Sequence, residues 1–214
     1  MALASACARV PDREACAAIV APAIAKADVE AKAVLLRTLG RVGGAKALDA
    51  ARAAVKDAAE NVRETAVRVL AEWADPAATA DLAALAKTSQ NKTHKILALR
   101  GYIRLIGQSS QPADQKLALC KDALGLTDRD EEKKLVLGVL GGVPSVEALA
   151  MVVPFLTNPA TKDEASAAAV AIGEKIASSH ASQTADAMKK VLVATANDDL
   201  QKKAREVLHR AGGK

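Results

Sequence analysis

The chain repeats itself, and that constrains its fold more than any other property. An aliphatic residue recurs at the same point of a helical phrase at Leu39, Leu70, Ile103, Leu140, Ile172 and Leu208. The steps are 31, 33, 37, 32 and 36 residues by subtraction of those numbers. A period of this length, built from paired helices, predicts an α-solenoid, in which each hairpin buries its apolar face only against its neighbours. The fold class expected is therefore all-α, with about six stacked hairpins.

The periodicity is clearest in the second helix of each pair. In VRETAVRVLAEWAD, the residues Val62, Ala66, Val69, Leu70 and Trp73 fall at helical spacing and form one apolar stripe. Leu35, Leu36, Leu39 and Val42 form the equivalent stripe in AKAVLLRTLGRVGG, where Gly43 and Gly44 supply a helix stop. Leu99, Ile103 and Ile106 align in the third unit, which is expected to stop at Gly107. Val136, Leu140 and Val143 align in the fourth, with Pro144 blocking continuation. Ala168, Ile172 and Ile176 align in the fifth, and Ala204, Leu208 and Ala211 in the sixth. First helices are expected at roughly 12–26, 44–57, 77–88, 112–125, 145–157 and 182–195. Pro11-Asp12, Asp75-Pro76, Ser145 and Asn158-Pro159 are N-cap or first-turn chemistry. The most irregular connection is GQSSQP, from Gly107 to Pro112, which is polar and breaker-rich but too short to mark a domain boundary. Residues 1–214 therefore read as one domain. The opening MALASACARVPDREAC reads as an Ala-rich helix entered midway, as expected of a piece of a longer protein.

Composition supports thin layers of small side chains. Half the residues are apolar but only 1% are aromatic. The apolar share is mostly Ala, Leu and Val, which lets helices approach closely. Trp73 sits on a core stripe. Cys7, Cys16 and Cys120 lack metal or disulfide spacing and read as small buried hydrophobes. No run reaches the roughly 18 apolar residues of a membrane span. The start lacks the pattern of a signal peptide; the compartment stays open, cytoplasmic for the chain as it stands and extracytoplasmic if it is cut from a secreted parent.

The chemistry of catalysis is missing from the pattern. There is no Gly-x-Ser-x-Gly elbow and no phosphate-binding loop. His94, His180 and His209 are far apart and sit in no zinc-binding frame, so no metal site, cofactor or catalytic residue is expected. The net charge of +5 comes from 30 basic and 25 acidic residues, mixed along the chain rather than clustered, which argues against nucleic acid as a partner. The one local imbalance lies in the third unit. Lys92, Lys95, Arg100 and Arg104 face no acid between Asn91 and Gly107, whereas Glu60 to Asp75 carries two Arg against four acids. Lys202, Lys203, Arg205 and Arg210 near the end of the last helix read as favourable to its dipole.

The Val-Arg opening and Leu-x-x-Trp close of VRETAVRVLAEWAD, with LGRVGG in the first unit, resemble the second helix of a HEAT repeat. The resemblance is strongest from about residue 28 to 107 and weakens after 160, where the Ala-rich unit departs from the pattern. The run DLAALAKTSQNKTHKILALRGYIRLIG, with DEEKKLVLGVLGGVPSVEALAMVVPFL, is similar to HEAT regions of large multidomain proteins of Planctomycetes-type bacteria. In those proteins the region accompanies a 3-keto-disaccharide hydrolase or a haem dehydrogenase module. This resemblance implies an accessory module, extracytoplasmic if cut from a secreted parent, and carries over no active-site residue.

HEAT resemblance also implies that second helices line a concave binding face. Lys95, Arg100 and Arg104 are then the candidate partner contacts, with the solvated face of an ordinary helix as the alternative. Arg100 and Arg104 share one flank and Lys95 lies across the apolar stripe. The expected function is a non-catalytic protein-interaction or scaffold module, with a protein partner or an adjacent domain of the parent chain. The alternatives are an intramolecular spacer holding a sugar-hydrolase or haem domain, and a bilin lyase-type enzyme on fold analogy. HEAT-like alkylpurine DNA glycosylases and di-iron hydroxylases fit less well, since the stacking aromatics of the one and the His-Glu pairs of the other are missing.

Overall fold

The computed structural model describes residues 12–212. Among these residues it contains twelve α-helices, two short 3-10 segments and no strand. The chain divides into two compact units, the first ending at Leu105 and the second beginning at Ile106. Pro11 and Cys7 lie outside the described residues.

The first unit contains α1 (Arg13–Lys26), α2 (Val29–Val42), α3 (Ala45–Ala54), α4 (Glu60–Ala71), a 3-10 turn (Pro76–Ala78), α5 (Thr79–Thr88) and most of α6 (Lys92–Gln108). Short polar side chains start these helices by accepting from otherwise unpaired backbone N–H groups. Asp12 accepts from Ala15 at 3.0 Å, Asp28 from Ala31 at 2.8 Å and Asn91 from His94 at 3.1 Å. Asp75 does the same for the 3-10 turn, accepting from Ala77 at 2.8 Å. Gly43 and Gly44 stop α2 with φ of 73° and 90°, the left-handed region that a side chain disfavours. α6 does not stop at Gly107 but runs one residue further, because that glycine is accommodated within the helix.

Packing follows the repeat. α1 lies on α2 and also on α3, and α2 lies on α3 and on α4. First helices thus meet first helices, and second helices meet second helices. The apolar stripes are the contact: Leu36, Leu39, Val42, Val62, Ala66, Leu70 and Trp73 are all buried, while Leu35 is half-buried. Leu36, Ala54, Val62 and Ala66 form one cluster, against which Ile24 of α1 also packs. Each buried Leu or Val stabilises such a stack by about 1.5–3 kcal/mol.

The second unit contains α7 (Ala113–Gly125), α8 (Asp130–Gly141), α9 (Val146–Val152) running on as a 3-10 segment (Val153–Thr157), α10 (Lys162–Ile176), α11 (Ala181–Ala194) and α12 (Asp198–Arg210). Ser145 caps α9 through the Ala148 N–H at 3.1 Å, and Asn197 caps α12 through that of Leu200 at 3.1 Å. Asn158 accepts from Ala160 at 2.9 Å in the turn before α10. The stacking rule is the same: α8 lies on α10, α10 on α12, and α9 on α11. Small residues let the second helices close up. A β-carbon at Gly141 would stand 3.1 Å from the Cα of Ala168, and one at Gly173 would stand 3.0 Å from Val207 Cγ1.

The segment from 145 to 157 is helical throughout, but it changes character at Val153. Pro154 has no N–H to give the Ala150 carbonyl, so the α-helical ladder cannot continue through it. The chain tightens into the 3-10 form for residues Val153–Thr157.

Candidate functional site

α6 begins at Lys92 after the Asn91 cap and carries the imbalance of positive charge along one helix. Arg100 is exposed on it, whereas Lys95 and Arg104 are half-buried. Arg100 and Arg104 stand one turn apart, and Lys95 lies about 140° round the helix from Arg100 at 100° per residue. None of the three is an idle charge, since each is engaged within the protein.

Arg104 shows what such engagement does. Its Nη2 donates to the Ala71 carbonyl at 3.0 Å and to the Trp73 carbonyl at 2.6 Å. The first oxygen belongs to the last residue of α4, where helix carbonyls have no partner within the helix, and the second lies two residues beyond its end. A guanidinium placed there satisfies two acceptors and meets the negative end of the helix dipole. Gly101, one turn earlier, makes the approach possible, because a β-carbon there would strike the Ala71 backbone. Neither acceptor is near Arg104 in sequence, which is why charge counting along the helix does not reveal the cap.

A second feature was not marked by any sequence motif. In the second unit a groove of about 980 Å³ opens between the Val153–Thr157 segment and α11. Val153, Pro154, Leu156, Val193 and Ala194 line it, together with Lys162, Lys189 and Lys190. A smaller hollow of about 340 Å³ shares Val153, Pro154 and Lys190 with it and reaches back along α11 to Gln183 and Asp186. Pro154, inside an otherwise regular first helix, is the one local clue.

Cys16 and Cys120 are both buried. Burial pushes the Cys120 thiol up to about 11, which makes it a poor nucleophile at neutral pH. Among the described residues, no three His, Cys, Asp or Glu side chains are grouped to hold a metal ion. Among them, too, no helix is long and apolar enough to cross a membrane.

Residues 17–102 match the HEAT-repeat family. No curated protein matches the chain. In structure it is similar to an engineered protein at 19% identity and a TM-score of 0.51, over 100% of this chain and 98% of that one. It is also similar to the archaeal HEAT-like repeats protein from Thermococcus onnurineus NA1, at 16% identity and a TM-score of 0.51, over 95% of this chain and 81% of that one. Identities this low establish fold and not activity. The fold class is the α-solenoid of HEAT-like helical hairpins.

Proposed function

We propose that this chain is a non-catalytic interaction module, and that α6 presents Lys95, Arg100 and Arg104 to an acidic protein surface. HEAT repeats generally act as protein-interaction scaffolds. The observation that carries the reading to α6 is its charge: four cations and no acid between Asn91 and Gly107, beside a second helix in the preceding hairpin whose charges are mixed. Arg104 and Arg100 divide the work. Arg104 is anchored by the Ala71 and Trp73 carbonyls and holds the helix in place at its far end. Arg100 is the exposed member and makes first contact. Charge of this kind mainly sets encounter rate and partner selection, and its effect weakens as salt rises.

The test is capture from native lysate on the immobilised chain, against the double variant Lys95→Glu with Arg100→Glu. Arg104 is left intact, so that the α4 cap survives. The expected result is a protein retained by the wild type, released by soluble polyglutamate and lost by the variant at an unchanged melting temperature. Equal capture by the variant removes α6 from the interface.

A further inference from the structure

The groove of the second unit joins an aliphatic floor to a cationic rim. Val193 projects there with 89% of its surface exposed, the most exposed of the large hydrophobic residues described. Lys189 and Lys190 are exposed beside it, and Lys162, which also lines the groove, is half-buried. None of the three makes an ion pair among the described residues. Lysine stems of this kind extend an apolar floor while leaving the ammonium groups available to an incoming anion.

We propose that this groove receives a linear peptide segment with aliphatic side chains on one face and carboxylates beside them, laid along α11 against the Val153–Thr157 segment. Shape is the first argument. The residues of α11 that line the groove and its smaller continuation run from Gln183 to Ala194, roughly 16 Å at 1.5 Å per residue. That is about three helical turns, enough for the roughly two turns over which a peptide helix sets anchors at i, i+3 or i+4, and i+7.

Chemistry is the second argument. The groove has no aromatic lining, so a nucleobase would find no stacking surface. Val153, Leu156 and Val193 accept aliphatic side chains instead. Lys162 and Lys189 line only the larger hollow, Lys190 lines both, and Asp186 lines only the smaller one, so the occupant has a direction. Its carboxylates lie beside Lys162, Lys189 and Lys190, and its end near Asp186 is neutral or basic. The site is also largely preformed. The Pro154-enforced 3-10 segment shapes one wall without help from a ligand, which lowers the cost of binding.

A random twelve-residue peptide library displayed on phage, panned against the whole chain and counter-selected on the Val193→Asp variant, tests this. Position 193 is exposed enough for that change to leave the core untouched. The enriched peptides are expected to combine Asp or Glu with aliphatic residues at helical spacing. A fluorescein-labelled peptide from the selection is then titrated by anisotropy. Binding is expected to weaken at least tenfold on Val193→Asp and on Lys189→Glu with Lys190→Glu, and to be unaffected by Lys95→Glu with Arg100→Glu. That last arm separates failure of this groove from failure of α6. The proposal falls if no sequences are enriched over the variant, if the enriched sequences lack acids, or if both groove variants bind the peptide as the wild type does. It falls equally if phosphatidylglycerol vesicles displace the peptide and themselves bind in a manner abolished by the same variants, since the site is then a lipid surface.

Discussion

Gly101 of α6 lies so close to Ala71 at the end of α4 that a β-carbon on it would stand 2.7 Å from the Ala71 carbonyl oxygen and 2.9 Å from the Ala71 Cα. Backbone cannot yield there as the tip of a side chain would. Gly101→Ala gains about 1 kcal/mol of helix propensity but incurs an overpacking cost of about 1–3 kcal/mol. A net loss is expected, read as a lower urea midpoint. Gly138, exposed on α8 with nothing within 4 Å of its missing β-carbon, is the control. Gly138→Ala is expected to stabilise by about 0.5–1 kcal/mol. Opposite signs for two Gly→Ala changes within helices are the result that supports the close approach.

Arg104 depends on that approach. Arg104→Met keeps much of the apolar stem and removes the two hydrogen bonds to the Ala71 and Trp73 carbonyls. Hydrogen bonds from a charged donor contribute about 1.5–3 kcal/mol, so a loss in that range is expected in thermal or urea unfolding. Arg104→Lys retains charge near the helix end but not the planar fork, and is expected to recover only part of the loss. If both variants unfold as the wild type does, the cap contributes nothing to stability.

The hairpins were readable in the sequence because each rests on local spacing. Leu39, Leu70, Ile103, Leu140, Ile172 and Leu208 mark them without any knowledge of contacts, and five of these six are fully or nearly fully buried, with Leu208 just at 9% exposed. The side chains that tie one hairpin to the next were not readable. Arg104 reaches back 31 and 33 residues to its acceptors, and Arg52 of α3 reaches forward 29 residues to form a two-pronged pair with Asp81 at the start of α5. Such contacts run across the repeat, where only register in space brings the partners together. The positive charge of α6 was likewise visible, but its engagement within the fold was not. The groove was hidden for a third reason. A segment such as 145–157 reads as one helix by its periodicity, and only the geometry after Pro154 separates its wall from α11.

Asp57 supplies a pH-dependent tie. Its carboxylate accepts from Lys32 Nζ at 2.8 Å and from the Ala59 N–H at 2.9 Å. The Lys32 hydrogen bond first, then the backbone bond and the nearby positive charges, hold this carboxyl below its ordinary value. A carboxyl lowered in the fold binds a proton more readily when the chain is unfolded. Its contribution is therefore present above the unfolded value of about 3.9 and is lost as pH falls through the lower folded one. Asp57→Asn is expected to reduce stability at neutral pH and to make the decline below about pH 4 shallower than in the wild type. Urea midpoints measured at neutral pH and at about pH 3 decide it, and parallel curves for the two proteins count against the tie.

Glu14 caps a helix that has no cap of its own. The residue before α3 is Gly44, at φ 90°, which offers no side-chain acceptor. The Glu14 carboxylate, projecting from α1, accepts instead from the Ala45 N–H and from the Lys46 N–H, the latter at 3.3 Å. Glu14→Ala is expected to cost about 0.5–2 kcal/mol, the range of a lost N-cap. Glu14→Gln, which keeps an acceptor but not the charge that favours a helix N-terminus, is expected to cost less. Gly44→Ala meets two obstacles, the left-handed backbone and the Glu14 carboxylate, which a β-carbon would approach to 2.5 Å. Only the second depends on Glu14. The double variant Glu14→Ala with Gly44→Ala is therefore expected to be more stable than the sum of the single losses predicts, by at least about 0.5 kcal/mol. Additive losses in that cycle would mean that Glu14 and Gly44 do not share a site.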